Sequence, residues 1–244
     1  MDFTPLLLAA LAIFISVFTQ STVGFGTAMV GMPLLVSIVG IRVAAPLVAL
    51  IGLTTEVLLL FILRGHLEVR SIARLVAAAA VGVPLGIWGV RHLSEALVVG
   101  LLGVVLVAYA LYNLVGLQVP PLAAAKWAYV FGFASGVLGG AYNTSGPPVV
   151  IYGTGRRWSP DEFRANLQGF FLVIDAMVVA GHAAAGNLTG EVWQVYLVGL
   201  GALAAGMALG LAVGRRIAPE TFRKLVLVTL ALLGLRLLWA TLGA

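Results

Sequence analysis

Residues 18–36, FTQSTVGFGTAMVGMPLLV, return 115 positions later as FASGVLGGAYNTSGPPVVI, with no gap. Phe18 falls on Phe133, Gly24 on Gly139, Gly31 on Gly146 and Pro33 on Pro148. Both copies interrupt an apolar run with Gly, Ser/Thr and Pro, residues that break or kink a helix. Paired interruptions at matching places in two halves of an apolar chain point to a transporter with its substrate site at a repeat interface. The copying runs further. Gly65-His66-Leu67 resembles Gly186-Asn187-Leu188, and Gly82-Val83-Pro84-Leu85-Gly86 resembles Gly206-Met207-Ala208-Leu209-Gly210. In both of the latter an arginine follows five residues after the last glycine, Arg91 and Arg215. We therefore read a single membrane domain over residues 1–244, with a first repeat at 1–116, a linker at 117–125 and a second repeat at 126–244.

The surrounding solvent is lipid. Of 244 residues 61% are apolar and 9% charged, against roughly 25% charged in a soluble domain. The mean hydropathy is +1.11. There is no cysteine, which excludes disulfides, thiolate chemistry and cysteine-ligated metals. His66, His92 and His182 lie far apart, and no HExxH, GxSxG or GxxxxGK[ST] pattern is present. The sequence thus points to no enzyme, cofactor or metal centre. The net charge of +5 sits in short loops between apolar spans, where positive residues set topology rather than bind nucleic acid. Met1-Asp2-Phe3 lacks the positive start of a signal peptide, so the first apolar segment is expected to be kept.

Stretches long enough to cross, about 20 residues each, are 43–63, 70–90, 96–115, 163–182, 194–214 and 221–241. Regions 5–40 and 121–154 are too long for one crossing and are broken at Gly24-Phe25-Gly26 and Asn143-Thr144-Ser145-Gly146-Pro147-Pro148. Each is a kinked helix, a re-entrant hairpin or two short crossings. The charges favour a form that enters and leaves on one side. One face then collects Arg64, Arg70, Arg74, Lys126, Arg156, Arg157, Arg164, Arg215, Arg216, Arg223 and Lys224, and the other only Arg42 and Arg91. Single crossings would blur that contrast, so the positive-inside rule selects inverted repeats with both termini extracytoplasmic. The expected fold is an all-α polytopic membrane protein of two homologous halves. Each half opens on a hairpin-like broken segment and continues with three transmembrane helices.

The breaks also gather the polar groups: Gln20, Ser21, Gly24, Gly26 and Thr27 in the first, Asn143, Thr144, Ser145 and Gly146 in the second. A helix broken inside the membrane leaves backbone N–H groups unbonded where the next piece starts, and these carry partial positive charge. Two facing breaks therefore form an anion site without a fixed arginine, with hydroxyls and amides completing it and glycine allowing close approach. The competing explanation, small residues serving only helix packing, suits isolated glycines such as Gly136 and Gly210 better than paired clusters. After the charged loop come Arg164, Asn166 and Gln168, whose alternate spacing cannot place all three on one helical face; Asn166 and Gln168 are the better candidates for the cavity. Glu56 and Asp175 lie inside spans. A buried acid there either couples protons or is a neutral hydrogen-bonded group joining helices. His182 is expected at a helix end near the outer face.

QSTVGFGTAMVGMPLL (20–35), GFASGVLGGAYNTSGPPVVIY (132–152) and FRANLQGFF (163–171) resemble the signatures of the TauE/SafE family, the sulfite-exporter-like permeases also called the TSUP family. The resemblance covers essentially the whole chain. Tyr142-Asn143-Thr144-Ser145 is more polar than the glycines common there, which leaves room for a substrate other than sulfite. The resemblance implies an exporter of sulfite or a related sulfur-containing anion such as an organosulfonate, multi-pass in the plasma (inner) membrane. Its expected partners are that small anion, the lipid bilayer and a second copy in a homodimer, with no nucleic acid. A channel-like anion facilitator and a non-transporting scaffold subunit are the rival readings.

Overall fold

The computed structural model describes residues 3–116, 119–214 and 219–242. Among them the order is α1 (Phe3–Val23), α2 (Thr27–Val39), α3 (Ile41–Leu63), α4 (Val69–His92), α5 (Glu95–Leu114), α6 (Lys126–Tyr142), α7 (Gly146–Gly155), α8 (Pro160–Ala184), α9 (Gly190–Gly214) and α10 (Pro219–Leu242), with no strand. Arg215 and Arg216, used in the charge argument, and linker residues 117–118 lie outside the described residues. Among the described residues five helices, α1, α3, α4, α8 and α9, are long and apolar enough to cross a membrane. Within the described residues of α5 and α10 the apolar stretches run Val99–Leu114 and Leu230–Trp239.

Two glycines end the first helix. Gly24 has φ 95° and Gly26 φ 122°, angles that a side chain disfavours, and the chain re-enters a helix at Thr27. In the second half the stop is Asn143, left-handed at φ 54°, whose N–H donates to the Gly139 carbonyl at 2.8 Å while Thr144 N–H reaches Leu138 at 3.2 Å. These are the bonds of a left-handed helix C-terminus. Pro147 and Pro148 then occupy the first turn of α7, where a missing N–H costs nothing.

Both broken regions are helical hairpins. A β-carbon on Gly31 would lie 3.0 Å from Ser16 Oγ and 3.7 Å from Val48 Cγ2, so α2 runs back along α1 and α3 back along α2. In the second, Tyr152 stands 6.2 Å from Phe131, and Leu122 N–H donates to the Gly155 carbonyl at 2.9 Å, closing the hairpin's base. The arms are unequal. The 21 residues of α1 span about 31 Å at 1.5 Å per residue, enough for a crossing, whereas the 13 of α2 span about 20 Å and the 10 of α7 about 15 Å. Neither region is a single kinked helix or a pair of full crossings.

The long helices pair as α1 with α9, α4 with α6, α3 with α8 and α5 with α10. If α6–α10 are matched in order to α1–α5, the first two contacts are one contact with the halves exchanged, and the last two are each a helix against its own counterpart. Glycine makes the first two close. Gly132, Gly136 and Gly140 of α6 sit on the backbone carbonyls of Leu75, Ala79 and Val83, and Gly206 and Gly210 of α9 sit on those of Phe14 and Phe18. With lipid as apolar as leucine, such van der Waals contact is a main source of helix association. At the centre, α3 and α8 bury Leu47, Ile51, Leu167, Phe170 and Ile174 almost completely. The start of α8 is set by a capping box, Ser159 with Glu162, and by Pro160 in its first turn.

Candidate functional site

The tips of the two hairpins meet at one half-open cavity. The first break supplies Gln20, Gly26, Thr27, Ala28 and Met29, and the second Asn143, Thr144, Ser145 and Gly146; α3 adds Glu56, and α8 adds Phe171 and Asp175. Among the described residues no lysine, arginine or histidine lines it.

A chain of amides holds the first break open. Gln168 Nε2 donates to the Gly24 carbonyl at 2.6 Å, Gln20 Nε2 donates to Gln168 Oε1 at 3.2 Å, and Thr27 N–H donates to Gln20 Oε1 at 2.9 Å. Both glutamine side chains are buried. They satisfy the carbonyl left by the end of α1 and one amide at the start of α2, groups that a broken helix otherwise leaves bare. The amides of Ala28 and Met29, next along α2, hydrogen-bond to nothing among the described residues. They stand at the positive end of the α2 dipole and line the cavity. The second break is tied differently: Asn143 Nδ2 donates to the Ala45 carbonyl of α3 at 2.7 Å, and Thr144 Oγ1 to Tyr142 at 3.0 Å.

Glu56 and Asp175 are each the sixteenth residue of their helix, α3 and α8. Their carboxyls lie within hydrogen-bonding reach of one another, and Gln20 reaches Glu56. Gly52 makes the room, because a β-carbon there would strike Asp175 Oδ2 and lie 3.8 Å from Glu56 Oε1. A hydrogen bond between two carboxyls requires one of them to carry the proton. Among the described residues three buried oxygens of the cavity are left without a partner, Thr27 Oγ1, Glu56 Oε2 and Asn143 Oδ1.

Four of the expected site residues do not line the cavity. Ser21 turns to α9, where a β-carbon on Gly210 would meet it. Gly24 and Gln168 stand behind the lining and shape it through their hydrogen bond. Asn166 faces away from the cavity: its Oδ1 accepts from Glu68 N–H at 2.9 Å and caps the start of α4. His182 takes part in the α8–α9 turn, with Nδ1 3.1 Å from Asn187 Nδ2. The sequence reading missed Ala28, Met29 and Phe171. The repeat itself places Ala28 and Met29 opposite Asn143 and Thr144, and Phe171 shares the helical face of Gln168 and Asp175 by its spacing. Arg164, which the sequence ranks behind Asn166 and Gln168, places its Cγ 3.2 Å from where a β-carbon on Gly24 would stand, at the back of the first break.

A family model described as sulfite exporter TauE/SafE matches residues 8–237. No curated protein and no solved structure matches the chain significantly.

Proposed function

The chain belongs to the sulfite exporter TauE/SafE family, and from that premise we propose that it carries sulfite or a related small sulfur-containing anion out across the plasma membrane by alternating access. The observation that supports this reading is the meeting of two hairpin tips at one polar cavity. The unbonded amides of Ala28 and Met29, with the Thr27 and Ser145 hydroxyls, bind a small oxyanion that needs several short hydrogen bonds and no counter-cation from an arginine. In this reading the halves are inverted repeats around the cavity, the termini are extracytoplasmic, and Glu56 with Asp175 form the proton-coupling group. A proton gained by the pair weakens its repulsion of the incoming anion, so loading the anion and loading the proton favour each other.

The test is sulfite flux in proteoliposomes. Asn143→Leu removes the bond to Ala45 and fills the cavity wall, and is expected to abolish flux while the protein still inserts. Leucine also tolerates φ 54° poorly, at about 1 kcal/mol, so the folded fraction is measured alongside. Unchanged flux in the folded variant would sink the site assignment.

A further inference from the structure

We infer that the cavity holds a sodium ion beside the anion, bound by Glu56 Oε2 and Asn143 Oδ1. The inference rests on the anion reading above and names the ion that accompanies the substrate. It starts from two acceptors with nothing to accept. Glu56 is 3% exposed and Asn143 5%, both line the cavity, and neither Glu56 Oε2 nor Asn143 Oδ1 has a partner. The asparagine cannot escape by a flip, because Nδ2 is committed to the Ala45 carbonyl and turning the amide would set oxygen against oxygen. A buried acceptor without a donor is costly.

A fully deprotonated oxyanion cannot supply what is missing, since it too brings only acceptors. Nor can the proton between Glu56 and Asp175. It satisfies their mutual contact and still leaves a net negative charge on the pair, with Glu56 Oε2 and Asn143 Oδ1 bare. The polar groups around the pair are the amides of Gln20 and Gln168 and the hydroxyls of Thr27 and Ser145, none of them charged; Arg164 lies behind Gly24, outside the lining. A small cation answers both deficits together. Carboxylate and amide oxygens are hard ligands suited to alkali and alkaline-earth ions. The singly protonated pair carries one negative charge, which a monovalent ion balances. Among the described residues no group of three or more carboxylates or histidines is present to hold a divalent metal. Broken helices that bind an anion on a helix start and a sodium ion on nearby oxygens are a recurrent arrangement in transporters.

The experiment measures the full-length purified protein at fixed pH and ionic strength in sodium, potassium or N-methylglucamine gluconate. Two readouts are taken: thermal stability without sulfite, and the sulfite dissociation constant in each salt. Sodium alone is expected to raise thermal stability saturably and to tighten sulfite binding by about tenfold, a coupling that must be reciprocal. Glu56→Gln is expected to keep the fold and lose the sodium effect on both readouts. Equal sulfite affinity in all three salts would overturn the sodium site and leave the anion reading standing. An equal effect of potassium would overturn the assignment to sodium. If sulfite binds in no salt, the anion reading falls, and the sodium-only stability shift then decides the cation site by itself.

Discussion

Replacing Gln168 with leucine tests how the first break is held. Leucine keeps most of the volume and removes two bonds, Gln168 Nε2 to the Gly24 carbonyl and Gln20 Nε2 to Gln168 Oε1. Two orphaned buried groups cost about 2–6 kcal/mol by soluble-protein figures of about 1–3 each. Polar bonds between membrane helices average nearer 0.6 kcal/mol, because the unfolded state in lipid finds partners too. The second figure governs here, since both bonds join helices inside the apolar domain, and it gives about 1–2 kcal/mol for the two. If the loss falls on the geometry of the break, sulfite affinity drops by roughly 5–30-fold. Thermal unfolding and calorimetric titration with sulfite on the same sample separate the two effects. Native stability and native affinity together would refute the bracing role of the glutamine pair. Lost stability with unchanged affinity would keep the brace and remove Ala28 and Met29 from the anion site.

Further outcomes follow from the same geometry. Asp175→Asn takes the exchangeable proton out of the carboxyl pair and is expected to flatten the pH dependence of transport; a full pH response in proteoliposomes would remove the pair from coupling. Asn166→Leu uncaps α4 at Glu68 N–H and is expected to cost about 1 kcal/mol of stability, with sulfite affinity unchanged in titration. Gly140→Val drives a β-carbon into the Val83 carbonyl, and overpacking on the order of 3 kcal/mol is expected to reduce the yield of folded protein in size-exclusion chromatography.

The positions of the breaks were readable because Gly24, Gly26 and Asn143 act locally, through φ. The pairing of the breaks was readable because the segment is copied. Glu56 and Asp175 stood out because an acid inside an apolar span is rare. What resisted reading was direction. In a soluble helix a polar face marks the outside, but here lipid and protein interior are equally apolar, so nothing in the letters around Ser21 or Asn166 tells which neighbour they meet. Ser21 is directed at α9 and Asn166 at the start of α4 only because distant helices arrive there. The unequal arms of the hairpins escaped for a related reason. Val23 and Val39 end their helices at glycines that the sequence displays, while the side on which each arm lies is set by Gly31 fitting over Ser16.

The glycine contacts between α4 and α6 and between α1 and α9 bear on how such a molecule can move. Each joins the long arm of one half's hairpin to a helix of the other half, backbone against backbone. Splitting the chain into two lobes at the linker would tear both zippers, at many contacts each. A rocking motion of one proposed repeat against the other would have to break both. Under the proposed alternating access any shift runs around these fused pairs, and the short arms α2 and α7 are among the pieces outside them.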